Sequence, residues 1–200
     1  MKVGVLAVQG DVPEHRAALE RLPNPPKVVA VRSPTDLEKV DALVLPGGES
    51  TTIAHLLQKT GLWGALHRRL ASGFPVLATC AGLIVLAREI EPSPGGRDPP
   101  TLGVLDVLVR RNDYGRQRES FEGPVSVTGL PEPPFPGVFI RAPRILKVGT
   151  GARTIAKRGT EVVGVRSGNV VGLTFHPELA VDPRLHAWFL TETLGLPQNR

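Results

Sequence analysis

In the first half of the chain, short apolar runs alternate with longer segments of mixed polarity. The apolar runs predict strands at residues 2–8, 27–31, 41–45 and 74–78. The segments between them predict helices at residues 12–22, 35–39, 53–59 and 61–72. Strands covered on both faces are typically unbroken apolar runs, and helices alternating with them indicate right-handed βαβ units. We therefore expect an α/β fold whose doubly wound, mostly parallel sheet carries helices on both faces.

In the second half, strand candidates follow one another closely. They lie at residues 102–109, 125–128, 138–141, 145–148, 154–157, 162–166 and 170–175. Close spacing with glycines at the turns predicts an antiparallel extension of the sheet. A closing helix is expected at 183–194, with Trp188 and Phe189 directed toward the core. We find no repeat and no internal boundary, so a single domain over residues 1–200 is expected.

Composition and charge narrow the class of protein. The chain has a formal charge of +5, but its basic residues are scattered and only 4% of its residues are aromatic. Few aromatic residues leave few surfaces on which bases can stack, so we expect no nucleic-acid partner. There is no apolar run of about 18 residues. The short N-terminal run is followed by Asp11 and Glu14, so it predicts a first strand and not a signal peptide. We expect a cytoplasmic protein with no membrane partner.

The single cysteine lies where a strand meets a helix. Residues 74–78 predict a buried strand, residues 83–89 predict an apolar helix, and Thr79-Cys80-Ala81-Gly82 must make the turn between them. This is the arrangement of a nucleophile elbow, and the amides at a helix N-terminus favour a thiolate. A lone cysteine is also commonly a small buried apolar residue, so Cys80 needs a partner before it indicates catalysis. One cysteine excludes an internal disulfide and a CxxC metal site.

One of the five histidines differs from the others. Four lie in predicted helices and are expected on the surface or in packing: His15, His55, His67 and His186. His176 follows a strand and has Glu178 two residues later. In an extended segment such positions point to the same side, so Glu178 could orient the imidazole and support its charged form. A plain strand-end turn is the alternative, but a cysteine elbow elsewhere favours catalysis.

Two polar segments at other strand ends are candidates for ligand binding. Gly47 and Gly48 allow the backbone to present its amides, and a serine or threonine at 50–52 could cap the next helix. An ordinary glycine turn is the alternative, and a phosphate loop is not expected because GxxxxGK[ST] is absent. The arginine-rich segment 110–117 suits a solvated turn or a pocket for an amino-acid carboxylate. Gln9-Gly10 receives no role.

Taken together, these motifs resemble those of class I (triad) glutamine amidotransferases. The resemblance rests on Cys80 in TCAGL, the Gly47-Gly48-Glu49 loop and His176-Pro177-Glu178. More narrowly, PGGESTT, RNDYGRQ, SFE, VFIRAP and FHPEL followed by Asp182 are similar to the glutaminase-subunit family of pyridoxal 5'-phosphate synthase. The similarity runs from the first strand to the closing helix. Ala78 stands where the family often has glycine, and Asp113 is unusual within RNDYGRQ, but neither touches a proposed catalytic atom.

The resemblance implies a reaction and a partner. Cys80 would attack the amide of L-glutamine to form a thioester, His176 would move the protons and Glu178 would orient His176. The amide of Gly48 and the amide after Cys80 would form the oxyanion hole. The residues implied to hold L-glutamine are Gly47, Gly48, Glu49, Arg111, Ile140 and Arg141. Neither a cofactor nor a metal ion is implied, and ammonia would pass to a synthase subunit within a large hetero-oligomer. Lyase as well as hydrolase chemistry is expected of this chain.

Two rival functions remain open at this point. The first is another cysteine hydrolase of the same fold group, such as a γ-glutamyl hydrolase or a peptidase-like enzyme. The second is a non-catalytic regulatory module that has kept the fold. Release of ammonia from glutamine separates the first rival from an amidotransferase, and labelling of Cys80 by a glutamine analogue separates the second.

Overall fold

The computed structural model describes residues 1–93, 98–111 and 120–195. Its strands are β1 (Lys2–Leu6), β2 (Lys27–Val31), β3 (Ala42–Leu45), β4 (Val76–Thr79), β5 (Ala87–Ile90), β6 (Leu105–Arg110), β7 (Phe121–Val127), β8 (Phe135–Phe139), β9 (Arg144–Val148), β10 (Arg153–Arg158), β11 (Glu161–Ser167) and β12 (Val170–Leu173). Its helices are α1 (Val12–Glu20), α2 (Pro34–Leu37), α3 (Ser50–Lys59), α4 (Leu62–Ala71), α5 (Ala81–Leu86) and α6 (Arg184–Leu194), with a 3₁₀ helix at Pro177–Leu179.

A nine-stranded sheet forms the centre, in the order β2-β1-β3-β4-β12-β11-β10-β7-β8. The first five strands are parallel, and each later strand is antiparallel to its neighbour. A second sheet contains β5, β6 and β9. The predicted parallel sheet and its antiparallel extension are therefore confirmed.

Each face of the central sheet carries its own apolar layer. On β3, Leu43 and Leu45 belong to the layer shared with α3, α4 and α5, whereas Ala42 and Val44 face the layer that contains α1 and α6. Alternate residues of a strand point to opposite faces, so a strand covered on both sides must be apolar throughout. The buried Trp188 and Phe189 of α6 confirm the predicted core contact of the closing helix.

The predicted helix at 83–89 is wrong in its second half. Helix α5 ends at Leu86, and Ala87 begins strand β5, which pairs in parallel with β6. Arg88 on β5 pairs with Asp106 on β6 at 2.9 Å. A short apolar run cannot by itself distinguish a buried helix from a strand, and here the pairing with a distant strand decides.

The predicted start and cap of the third helix are also wrong. Helix α3 begins at Ser50, and the side chain of Glu49 caps it. The Glu49 carboxylate accepts hydrogen bonds from the backbone amides of Thr51 at 3.0 Å and Thr52 at 2.7 Å. An acidic cap satisfies two unpaired amides and complements the positive end of the helix dipole.

Among the described residues, no helix is both long enough and apolar enough to cross a membrane.

Candidate active site

Adjacent parallel strands bring the candidate residues to one edge of the sheet. Strands β1, β3, β4 and β12 are neighbours, so their carboxyl ends lie side by side. The loops that follow them carry Asp11, the 47–49 loop, Cys80 and His176. Thr79 and Leu173 are direct partners in the β4–β12 register. This pairing brings Cys80 and His176 into one site although nearly 100 residues separate them in sequence.

Cys80 forms the predicted elbow. It has φ 47° and ψ −105°, immediately before the first residue of α5. Its backbone amide donates to the carbonyl of Leu173 at 2.9 Å, which ties the turn to β12. A positive φ is strained for a residue with a side chain and is often found at functional sites. Cys80 and Arg141 are the non-glycine residues with positive φ in the described part of the chain, and both line one cavity.

That cavity has a volume of about 300 Å³. The residues lining it are Asp11, Gly48, Glu49, Ser50, Cys80, Ala81, Ile84, Arg111, Ile140, Arg141, His176 and Leu179. Seven of the nine residues predicted from the sequence are in this set. The other two residues adjoin the His176 ring: Gly47 packs beside its Cε1 atom, and Glu178 hydrogen-bonds to its Nδ1. The structure therefore brings all nine together.

A larger cavity of about 380 Å³ lies between α1 and the ends of β1 and β2. Its lining is mostly apolar, with Arg16 and Arg32 among the few charged residues. It contains neither the cysteine nor a histidine, so the smaller cavity is the candidate active site.

His176 is held by carboxylates on one ring nitrogen. Its Nδ1 lies 2.7 Å from Glu178 Oε1 and 3.3 Å from Asp11 Oδ2. The predicted contact with Glu178 is confirmed, but the predicted reason is wrong. Residues Pro177–Leu179 form a 3₁₀ helix and not an extended segment, so the turn of that helix brings the carboxylate back to the ring. Because Nδ1 is engaged in this way, Nε2 is the nitrogen left for a proton from Cys80.

The charges around His176 favour its imidazolium form. Burial by itself lowers the pKa of His176, but hydrogen bonds with Asp11, Cys80 and Glu178 outweigh it and raise the pKa to about 12. Burial raises the pKa of Glu178 above its ordinary value, and the hydrogen bond with His176 offsets this rise only in part. The hydrogen bond with His176 lowers the pKa of Asp11. Two carboxylates therefore share the task of stabilising a single imidazolium.

The two glycines of the 47–49 loop are required by close packing. A Cβ on Gly47 would lie 2.5 Å from Cε1 of His176, so the glycine lets the loop pass directly over the ring. Gly48 has φ +146°, and a Cβ there would lie 2.3 Å from Oε1 of Gln9. The same Gln9 oxygen accepts a hydrogen bond from the backbone amide of Glu49 at 3.0 Å. Gln9, which received no role from the sequence, therefore holds this loop in place.

Arg111 lies in the cavity wall between two acidic side chains. Its guanidinium is 3.4 Å from Glu49 Oε1 and 3.4 Å from Asp98 Oδ1, and its side chain is 15% exposed. Burial acts to raise the pKa of Glu49, but hydrogen bonds from Thr52 and Thr51 lower it. Glu49 therefore stays charged and ties Arg111 to the N-terminus of α3. Residues 112–117 of the predicted arginine-rich segment lie outside the described residues.

Sequence reasoning missed several residues of the site. Asp11 contacts the ring of His176. His15, Thr79 and His186 form a buried polar cluster next to Glu178. His15 and His186 are fully buried, while His55 and His67 are exposed. The signal for Asp11 and His15 is their position just after the first strand, four residues apart at the start of α1.

Asp11, His176 and Glu178 also have the spacing of a metal site. Their ligand atoms lie within 4.8 Å of one another. The 2.7 Å contact between His176 and Glu178 is a hydrogen-bond length, which also suits an imidazole oriented by a carboxylate.

Comparison with known proteins agrees with this geometry. A crystal structure of a glutamine amidotransferase superposes with a TM-score of 0.86 at 47% identity, covering 97% of this chain and 99% of that one. PurLQS from Thermotoga maritima, at 16% identity and a TM-score of 0.68 over 96% of this chain and 97% of its own, shares the fold. The architecture is that of the class I glutamine amidotransferases.

Within that class, the family is settled by the sequence model and by close relatives. The chain belongs to the SNO glutamine amidotransferase family, whose model matches residues 5–194. Pyridoxal 5'-phosphate synthase subunit PdxT of Thermococcus onnurineus is 48% identical over 97% of this chain and 100% of its own. The protein of the same name from Pyrococcus horikoshii is 47% identical over 97% and 100%. These matches support amidotransferase chemistry, and the lyase expectation does not apply to this chain.

Proposed function

We propose that the chain hydrolyses L-glutamine to L-glutamate and ammonia through a glutamyl thioester on Cys80, and that the ammonia serves pyridoxal 5'-phosphate synthesis in a separate synthase subunit. The observation that carries this proposal is the meeting of Cys80 and a carboxylate-bound His176 in one cavity walled by Arg111. The name of the close relatives, a pyridoxal 5'-phosphate synthase subunit, supports the destination of the ammonia.

In the first step, the thiol proton of Cys80 has passed to Nε2 of His176, whose surroundings favour the imidazolium, and Sγ attacks the side-chain amide carbon of glutamine as the thiolate. Glu178 and Asp11 stabilise the imidazolium that forms, because both carboxylates face Nδ1. The carbonyl oxygen becomes an oxyanion. We assign its stabilisation to the backbone amides of Gly48 and of Ala81, the first residue of α5.

In the second step, the imidazolium gives its proton to the amide nitrogen, the carbon–nitrogen bond breaks and ammonia leaves. The glutamyl thioester remains on Cys80. His176 then takes a proton from water, and the resulting hydroxide attacks the thioester. When the carbon–sulfur bond breaks, glutamate leaves and the proton returns to the cysteine. The balance is one glutamine and one water consumed, with one glutamate and one ammonia formed.

We assign the binding of glutamine to Gly47, Gly48, Glu49, Arg111, Ile140 and Arg141. A planar guanidinium can bind an α-carboxylate through two parallel hydrogen bonds. The ion pairs of Arg111 with Glu49 and Asp98 hold this fork at the cavity wall. Glu49 is the nearby acid that could meet the α-amino group.

The residues that line the cavity bear on whether this chain could carry out pyridoxal ring synthesis itself. None of the described residues that line the cavity is a lysine, so these residues offer no amine for a Schiff base in pyridoxal ring synthesis. We therefore propose that a synthase subunit receives the ammonia within a hetero-oligomer. The large size of that assembly, the single-domain organisation and the cytoplasmic location remain predictions.

The experiment is to measure ammonia and glutamate release with and without the synthase subunit, for the wild type and for Cys80→Ala. Equal amounts of the two products from the wild type, and none from Cys80→Ala, support the proposal. Hydrolysis of γ-glutamyl peptides without ammonia release would indicate the rival hydrolase. No activity in the presence of the partner would indicate a regulatory module.

A further inference from the structure

A second histidine lies behind the proposed catalytic acid, and the mechanism above does not use it. His15 of α1 is fully buried. Its Nε2 lies 3.3 Å from Glu178 Oε2 and 3.2 Å from the hydroxyl oxygen of Thr79, the residue before Cys80. Its Nδ1 lies 3.1 Å from Nε2 of His186 on α6. His15 therefore contacts the acid, the strand that carries the nucleophile, and the closing helix.

Both buried histidines are neutral near pH 7. Burial, reinforced by the nearby His186 and His176, lowers the pKa of His15 well below 6.5. Burial, reinforced by Arg21, lowers the pKa of His186 to about 4. A neutral imidazole carries one N–H and one bare nitrogen. Each ring can therefore donate from one nitrogen and accept only at the other.

The surroundings of His186 select which nitrogen carries the proton. Among the described residues, nothing hydrogen-bonds to the buried Nδ1 of His186. A buried N–H without a partner is rarer and more costly than a buried acceptor without one. The proton of His186 therefore sits on Nε2 and is donated to Nδ1 of His15. The proton of His15 is then on its own Nε2.

The surroundings of Glu178 select the same tautomer. Its Oε1 is bonded to His176, whereas its buried Oε2 lacks an aligned hydrogen bond. In the opposite tautomer, the bare Nε2 of His15 would face this carboxylate oxygen at 3.3 Å, which is repulsive. With the proton on Nε2, the N–H can hydrogen-bond to Thr79 Oγ1 at 3.2 Å, and its positive end lies 3.3 Å from Glu178 Oε2 without being aligned for a second hydrogen bond. Two independent contacts thus assign one arrangement of protons.

We propose that His15 is a positioning residue of the glutaminase: as the neutral Nε2–H tautomer fixed by His186, it presents its N–H to Glu178 and Thr79, and so holds the Glu178 carboxylate ionised and turned toward His176. This inference rests on the proposed function for its catalytic consequence. Its structural content, the tautomer and the support of Glu178, is independent of any activity. Burial by itself raises the pKa of Glu178 and so favours the protonated, neutral form of its carboxyl group. The N–H of His15 opposes that effect from the side that His176 does not reach.

The first test measures glutamine turnover by the chain together with its synthase subunit. His15→Leu removes the N–H at similar volume and should lower kcat about 10- to 100-fold with little change in KM, because Oε2 of the buried Glu178 carboxylate loses the N–H beside it. His15→Gln offers an amide N–H in place of Nε2 and should recover most of that loss. His67→Leu, the same change at an exposed histidine of α4, should behave as wild type.

A double-mutant cycle distinguishes positioning from general destabilisation. If His15 acts through Glu178, His15→Leu should cost little further turnover once Glu178→Gln is present. Equal losses in the two backgrounds would overturn the proposal. A similar loss for His15→Gln and His15→Leu would also contradict it.

The second test uses ¹⁵N NMR of the histidine rings in the chain alone, so it is independent of activity. The proposal requires the Nε2–H tautomer of His15 near pH 7 and a fall in the pKa of His176 in His15→Leu. It also requires that His186→Met, which removes the donor to Nδ1, allows His15 to populate the other tautomer. A wild-type His15 protonated on Nδ1 would overturn the inference even if glutamine is hydrolysed. An inactive wild type with the expected tautomer would contradict only the proposed function.

Discussion

Nδ1 of His176 lies 2.7 Å from Oε1 of Glu178, and both side chains are nearly inaccessible to solvent. Glu178 itself is provided by a 3₁₀ helix that starts immediately after His176. This contact fixes which ring nitrogen can exchange a proton with Cys80. In the proposed mechanism, the reactivity of the cysteine therefore depends on a carboxylate that is not among the residues lining the cavity.

Glu178→Gln should abolish most turnover while leaving the protein folded. The amide keeps the size of the side chain but removes the charge that stabilises the imidazolium, so kcat should fall roughly 100- to 10,000-fold. Steady-state glutamine hydrolysis measures the loss, and size-exclusion chromatography with the synthase subunit should show unchanged complex formation. Wild-type turnover in this variant would remove Glu178 from the triad.

Asp11→Asn should make the imidazolium form of His176 less stable, but His176 should still be protonated near pH 7. Asp11 lies 3.3 Å from Nδ1 of His176, and its side chain is 35% exposed. Loss of this charge should lower the pKa of His176 by about one unit, in the direction of its ordinary value. Histidine NMR across the alkaline range measures the shift. Asp41→Asn, at the opposite end of the sheet, is the matched control, and an equal shift there would contradict the assignment.

Gly47→Ala should impair catalysis because the added methyl group would lie 2.5 Å from Cε1 of His176. The ring or the loop must move, and displacement of a catalytic group by about 1 Å costs on the order of 100-fold in rate. Gly64→Ala in α4 is the control, since its Cβ meets nothing closer than 3.6 Å. Thermal melts of both variants check folding. Full activity of Gly47→Ala would show that the loop does not constrain the base.

Stability should fall as the pH drops from about 7 to about 5. The folded-state pKa of His186 is about 4, below its ordinary value of 6.5, so the unfolded chain binds the additional proton in this range. His186 alone should cost about 2 kcal/mol of unfolding free energy over that interval. The raised pKa of His176 has the opposite sign, because its stabilisation is complete below 6.5 and is lost as the pH rises toward 12.

Urea unfolding of the wild type and of His186→Leu at both pH values measures this dependence. The variant lacks the buried imidazole, so it should lose about 2 kcal/mol less than the wild type on acidification. Equal losses in the two proteins would show that His186 is not the group that titrates.

Much of the site could be predicted because its motifs are local. The turn at Cys80 follows from an apolar strand, small residues and Gly82, where a Cβ would lie 2.3 Å from the carbonyl oxygen of Leu45. His176 and Glu178 are close in sequence, so several backbone conformations allow them to meet. That is why their contact was predicted although the conformation was wrong.

The residues that were missed depend on strand order. Asp11 reaches His176 only because β1 lies next to β3, which lies next to β4 and then β12. His15 resembles any other helical histidine until α1 is packed against the 3₁₀ helix that carries Glu178. The end of α5 at Leu86 was likewise set by the distant strand β6. Local pattern contains no information on these pairings.

The most direct test of the glutaminase assignment is the mass of the chain during turnover. The complex with the synthase subunit is mixed with glutamine, quenched in acid within the turnover time and analysed by intact-mass and peptide mass spectrometry. The proposed mechanism requires one added glutamyl group, located on Cys80 in the wild type and absent in Cys80→Ala. Sustained ammonia release by Cys80→Ala, or a wild type that turns over with the glutamyl group on another residue, would contradict it.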